Sequence, residues 1–162
     1  MFLLSSKCLA LLVAAAQALL PTSVALADQY GRKDRLEAYS GSAVVVIVVS
    51  AQRLRKLKRW EIAIRDRYPT LRIVRIADVA VGDPPPTYEA VAERLRKRVP
   101  EEISVLIDMN RIWAAELDLD TSRPNLLVLD AEGSLRGTVR SRFSPESFAE
   151  LSRTLDGLRV GP

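Results

Sequence analysis

Residues Ala43 to Val49 read Ala-Val-Val-Val-Ile-Val-Val, an unbroken run of small and β-branched side chains. A strand with this composition has no polar face, so it must be covered on both sides, in the middle of a sheet with helices above and below. The hydrophobic period then changes. Gln52 to Tyr68 spaces Leu54, Leu57, Ile62 and Ile64, with Trp60, among basic residues and stops at Pro69. That pattern predicts an amphipathic helix with Ser50 as its N-cap. Leu71 to Val79 is a second strand, Gly82-Asp83-Pro84-Pro85-Pro86 a stiff loop, and Thr87 caps a helix with Ala90, Val91, Leu95 and Val99 on one face before Pro100. Strand, helix, strand, helix predicts a parallel sheet with right-handed crossovers.

The second half changes that order. Ile103 to Ile107 is a short apolar strand ending at Asp108, and Arg111 to Leu117 a short helix or turn carrying Trp113. Pro124 precedes a strand at Leu126 to Leu129, Asp130-Ala131-Glu132-Gly133 turns, and Ser134 to Arg140 returns. The pair is a hairpin, with Gly133 free to take a positive φ. Ser144-Pro145-Glu146 opens a last helix with serine at the cap and proline at the first helical position, burying Phe148, Leu151 and Leu155 before Gly157.

The N-terminus predicts export. Lys7 supplies a positive charge, Leu9 to Leu20 is apolar but for Gln17, and Ala25-Leu26-Ala27 offers small residues where a signal peptidase reads. The expected organisation is a cleavable signal peptide at 1–27, a polar lead-in at 28–42 with a short helix near Arg32 to Tyr39, and one domain at 43–158. Pro21 interrupts the apolar run before the roughly 20 residues that a membrane span needs, so no integral span is expected in the mature chain, a retained anchor being the alternative. Cys8 precedes the apolar run and is badly placed for lipidation. Removing 27 residues leaves 135, enough for one core without disulfides or metals. The expected location is the bacterial periplasm or the exterior.

Charge adds little. The +4 of the whole chain becomes +3 without Lys7, and the basic segments Arg53 to Arg67 and Arg94 to Arg98 alternate with apolar residues at helical spacing. They are expected to be solvated helix faces, not a nucleic-acid surface.

The order βαβα, a β-hairpin and a final helix, with Pro124 before the penultimate strand and Asp130-Ala131-Glu132-Gly133 at the hairpin tip, resembles the thioredoxin-like superfamily. Leu106-Ile107-Asp108 through Glu116-Leu117 to Pro124-Asn125-Leu126-Leu127-Val128-Leu129-Asp130 looks most like its exported thiol-reductase and peroxiredoxin-like branch. The resemblance implies an α/β/α sandwich around a mixed sheet. It also implies a cis bond before Pro124, and a segment at Ser122 and Arg123 whose backbone pairs with a substrate strand.

The departure is chemical. That family carries cysteine where the first strand gives way to the first helix, because the helix start stabilises a thiolate. This chain has Ser50-Ala51-Gln52-Arg53 there, its only cysteine is Cys8, and it has no histidine to activate a serine. Thiol exchange is excluded for the mature chain, and no catalytic residue, metal or cofactor is assigned. A Ser50 pairing with Lys56 or Lys58 would need an unprotonated lysine, against the usual state of a solvated one. Asp78, Asp83 and Asp108 near strand ends are expected to be caps and turn formers in preference to cation ligands, and Trp60 and Trp113 to pack at the core edge. The candidate binding residues are Ser50, Gln52, Arg53, Ser122, Arg123 and Pro124. Two readings stay open: a non-catalytic module that binds a protein or peptide, and a small-anion or metal binder, or non-thiol enzyme, using the first-helix N-terminus.

Overall fold

The computed structural model describes residues 20–158. Residues 1–19 of the expected signal, Cys8 among them, lie outside the described residues, as do 159–162. The β-branched run forms β3, Val44–Ser50, after two short strands, β1 (Leu26–Asp28) and β2 (Lys33–Asp34). Strands β4 (Arg72–Asp78) and β5 (Leu106–Asp108) lie parallel to β3, while β6 (Asn125–Leu129) and β7 (Leu135–Arg140) form the antiparallel hairpin. The mixed sheet has the order β2-β1-β5-β4-β3-β6-β7. As its apolar composition requires, β3 is central, and Val44 to Val49 are buried on both faces.

One face packs Val44, Val46, Val48 and Ile76 against Leu36, Trp113 and Leu117. The other packs Val45, Ile47 and Val49 against Trp60 and Ile64 of α1 (Lys58–Arg67) and, past the short α3 (Ile112–Glu116), against Leu151 and Leu155 of α4 (Pro145–Gly157). Helix α2 (Tyr88–Arg96) covers Ala77 and Ile107 on that second face with Val91, Ala92 and Leu95. The result is a three-layer sandwich. Both tryptophans are completely buried, so they are core residues and not core-edge ones.

The caps follow the sequence. Thr87 Oγ1 accepts from the Ala90 amide at 3.2 Å. Ser144 and Ser147 exchange reciprocal bonds in a capping box ahead of Pro145. Gly133 takes φ +80° at the hairpin turn, where the Asp130 carboxylate accepts from the amides of Glu132 and Ser134.

Three features depart from expectation. The first helix is not α-helical throughout: Ala51–Leu57 is a 3₁₀ stretch, and α-helix begins only at Lys58. Arg53, Arg55, Lys56, Lys58 and Arg59 crowd the entry with no acid before Glu61, and cations at that end oppose the dipole of an α-helix. Second, the polar segment before β3 holds two strands. Leu26 and Ala27 enter the sheet, Ala27 opposite Ile107 of β5. The buried Gln29 amide donates to the Ile103 carbonyl at 2.7 Å and accepts from the Val105 amide at 2.9 Å, continuing the edge with a side chain where backbone pairing stops. Third, the only cis peptide bond among the described residues is Asp83–Pro84, so the bond before Pro124 is trans, contrary to the resemblance.

Candidate functional site

The carboxyl ends of β3, β4 and β5 lie side by side, with Ser50 opposite Asp78 and Asp78 opposite Asp108. This is the edge where an α/β sheet presents ligands. The loop before β6 closes over it, because the Ser50 amide donates to the Thr121 carbonyl at 2.9 Å. Thr121 Oγ1 in turn donates to the buried Asp78 carboxylate at 2.6 Å, and Arg111 Nε reaches the other oxygen of Asp78 at 3.2 Å. Two chain segments distant in sequence, 50–53 and 120–124, are therefore joined by a backbone bond, and the buried Asp78 anchors Thr121 beside it.

Asn125 sets the path of the loop. Its fully buried amide nitrogen donates to the carbonyls of Val48, Asp120 and Arg123, at 3.3, 3.0 and 3.0 Å. Those carbonyls are turned inward, with Pro124 buried beneath the loop. This arrangement bears on another implication of the resemblance. The Arg123 carbonyl accepts from Asn125, the Ser122 carbonyl from Lys56 Nζ at 3.1 Å, and the Ser122 amide donates to Asp120 at 3.0 Å. Of these backbone groups, the Arg123 amide alone has no partner among the described residues.

The outer surface of the corner is made by side chains. Gln52, Arg53, Ser122 and Arg123 are exposed, Ser50 is half-buried and Pro124 is buried. Arg123 Nε pairs with Asp120 at 3.2 Å. The Asp120 carboxyl is held below its ordinary range by the hydroxyl and amide of Ser122, and further by Arg123 and Arg53. Lys56 is lowered from its ordinary value, first by desolvation and then by Arg53 and Arg142, against the pull of Asp120. Arg123 and Arg53 thus lie near the Asp120 carboxylate, and Lys56 lies between that carboxylate and the charges of Arg53 and Arg142. The expected residues Arg53 and Arg123 do come together. Lys56, Asp120 and Arg142 were missed as site residues, and nothing local marks them, since the loop and the basic stretch meet only in the folded chain.

Nucleophilic chemistry finds little here. The Ser50 hydroxyl accepts a long bond from the Gln52 amide at 3.4 Å, and the one lysine with a lowered pKa spends its ammonium on a carbonyl. The strand-end aspartates do not converge either: Asp78 is committed to Thr121 and Arg111, Asp108 accepts from the Trp113 amide at 2.8 Å, and Asp83 lies on the exposed proline loop.

No family model matches the sequence, and no curated protein matches it. Solved structures do. The chain is similar to the pneumococcal exposed lipoprotein thioredoxin Etrx1 from Streptococcus pneumoniae, with a TM-score of 0.61 at 18% identity over 82% of this chain and 98% of that one. MTB dsbF, solved in mixed oxidized and reduced forms, gives 0.60 at 17% identity over 86% and 99%. Thiol peroxidase from Chromobacterium violaceum gives 0.58 at 16% identity over 83% of each chain. The chain has the thioredoxin-like fold of these thiol enzymes, built from described residues that include no cysteine.

Proposed function

We propose that this protein is an exported, redox-inactive thioredoxin-like module that binds an acidic segment of a protein or peptide partner at the corner formed by Ser50, Gln52, Arg53, Ser122, Arg123 and Pro124. The observation that supports it most is the cluster of Arg53, Lys56, Arg123 and Arg142, with Asp120 as its neighbouring acid, at the corner where the resembled family keeps its thiols. Four cations against one acid leave a local excess that an acidic segment complements. Recognition runs through side chains, because Asn125 and Lys56 occupy the carbonyls that strand addition would need. The similarity to an exposed lipoprotein supports the export reading, as does the signal-like N-terminus; among the described residues no helix is long and apolar enough to cross a membrane.

Fluorescence anisotropy with labelled ten-residue peptides of matched length, one rich in Asp and Glu, one neutral and one rich in Lys, tests the reading. The acidic peptide is expected to bind saturably, and Arg53→Glu/Arg123→Glu to weaken it by at least ten-fold. Equal binding of all three peptides, or of none, overturns it. The same basic cluster also supports a second reading, a small-anion site: inorganic phosphate would then raise the melting temperature while no peptide binds.

A further inference from the structure

A second concave surface lies on the helical face of the sheet, between the first-helix segment and the end of α2. It is a groove of about 580 Å³, within the few hundred to 1,000 Å³ or so common for small-molecule sites. Leu54, Leu57, Val99, Pro100, Ile103 and Val105 make its walls. Its floor is unusual. Arg75 stands in the middle of β4, opposite Ile47 of β3, at a register position that the alternation assigns to the core, and it is only 8% exposed.

Burying a guanidinium there is costly, and an apolar residue of similar volume is often neutral or stabilising at such a place. One partner is visible: Arg75 Nε donates to Glu61 of α1. Nε makes the only hydrogen bond of the Arg75 side chain among the described residues, and Arg75 is one of the residues that line the groove. The rim adds Arg55, Lys58 and Arg98, all exposed, and Glu61 is the only acid along it. Apolar walls, a planar two-donor fork at the floor and a cationic rim complement one ligand chemistry.

We infer that this groove binds a small amphipathic carboxylate, its apolar body against Leu54, Val99 and Ile103 and its head group on the free Nη atoms of Arg75. A guanidinium fork matches the two oxygens of a carboxylate with parallel bonds, and the Glu61 pairing fixes its orientation beforehand. The groove adjoins the corner at Gln52, which lines it, but Arg53 and Arg123 do not line it.

Isothermal titration of the full chain with sodium octanoate tests the inference, with acetate, 1-octanol and octyltrimethylammonium as controls for head, tail and charge sign. Octanoate is expected to bind at one site, and each control at least ten-fold more weakly. Arg75→Met, which keeps the volume and removes the fork, is expected to cost octanoate at least ten-fold. Val99→Trp, which fills the groove from its wall, should do the same and stands as the test if Arg75→Met does not fold by circular dichroism. No saturable binding, equal binding of 1-octanol or the cation, or full affinity in folded variants overturns the assignment.

Discussion

Single side chains hold the edges of this molecule. The Asp28 carboxylate is 1% exposed, with one oxygen accepting from the amides of Tyr30 and Arg32, and the other from Arg32 Nε at 2.8 Å and Ser104 Oγ at 3.0 Å. Burial raises its pKa, but these donors outweigh burial and hold the carboxyl below its ordinary value. Asp130 is in the same position, raised by burial and lowered further by Ser134, Arg136 and Glu132. A depressed folded pKa contributes stability that is fully present above the unfolded value of about 4 and is lost as pH falls through the folded one. Asp28→Asn/Asp130→Asn should therefore melt lower at pH 7 yet show a flatter decline in melting temperature between about pH 5 and 2. Asp28→Ala should cost about 2 kcal/mol by urea denaturation, the scale of a lost set of charged hydrogen bonds. The turn role of Asp130 was legible in Asp-Ala-Glu-Gly, because its partners are two and four residues away. The tie of Asp28 to the strand-edge Ser104 was not, since Ser104 lies 76 residues on.

Between elements, packing decides what is tolerated. Gly137 in β7 lies against α4, where an added Cβ would sit 2.9 Å from both Thr154 Cγ2 and Oγ1 and 3.4 Å from its Cβ. Both γ atoms of Thr154 meet the added Cβ and a β-branched side chain is stiff at χ1, so Gly137→Ala should destabilise by about 1–3 kcal/mol. Thr154→Ala should recover much of that in the double variant, with a coupling energy of about 0.5 kcal/mol or more in a denaturation cycle; strict additivity would refute the contact. Tyr68 ties the end of α1 to α4 through a 2.6 Å bond from its hydroxyl to Asp156, a carboxylate also held by Arg67 at 2.8 Å. Tyr68→Phe keeps the buried ring and should cost about 1 kcal/mol. The helices themselves were readable, because apolar spacing, Pro69, Thr87 and Ser144-Pro145 are local signals. The 3₁₀ entry at Ala51–Leu57 also had a local cause, the run of cations, but helical apolar spacing alone does not distinguish the two geometries over two turns.

At the scale of the whole molecule, the sheet recruits residues that an export signal would remove. Leu26 is 7% exposed and packs with Leu20 and Val24 against the face beneath Trp113. A chain beginning at Leu20 should thus melt higher than one beginning at Asp28, by a margin that includes about 1.5–3 kcal/mol for the leucine alone. N-terminal sequencing of exported material would show which form is made. Insulin reduction by either form should stay at the uncatalysed rate, since residues 20–158 carry no thiol. The central strand, the two crossovers, the hairpin, the caps and the lack of a thiol in residues 20–158 were determined by the sequence alone, because each rests on neighbours a few residues apart or on which residue types a segment contains. The trans bond before Pro124, the inward carbonyls around Asn125, the edge strand at Leu26–Asp28, the placing of Arg53 near Asp120 and the burial of Arg75 beside Glu61 were decided only by the tertiary structure. Those features depend on which distant segments the sheet order places together, and periodicity along a chain carries no information about that.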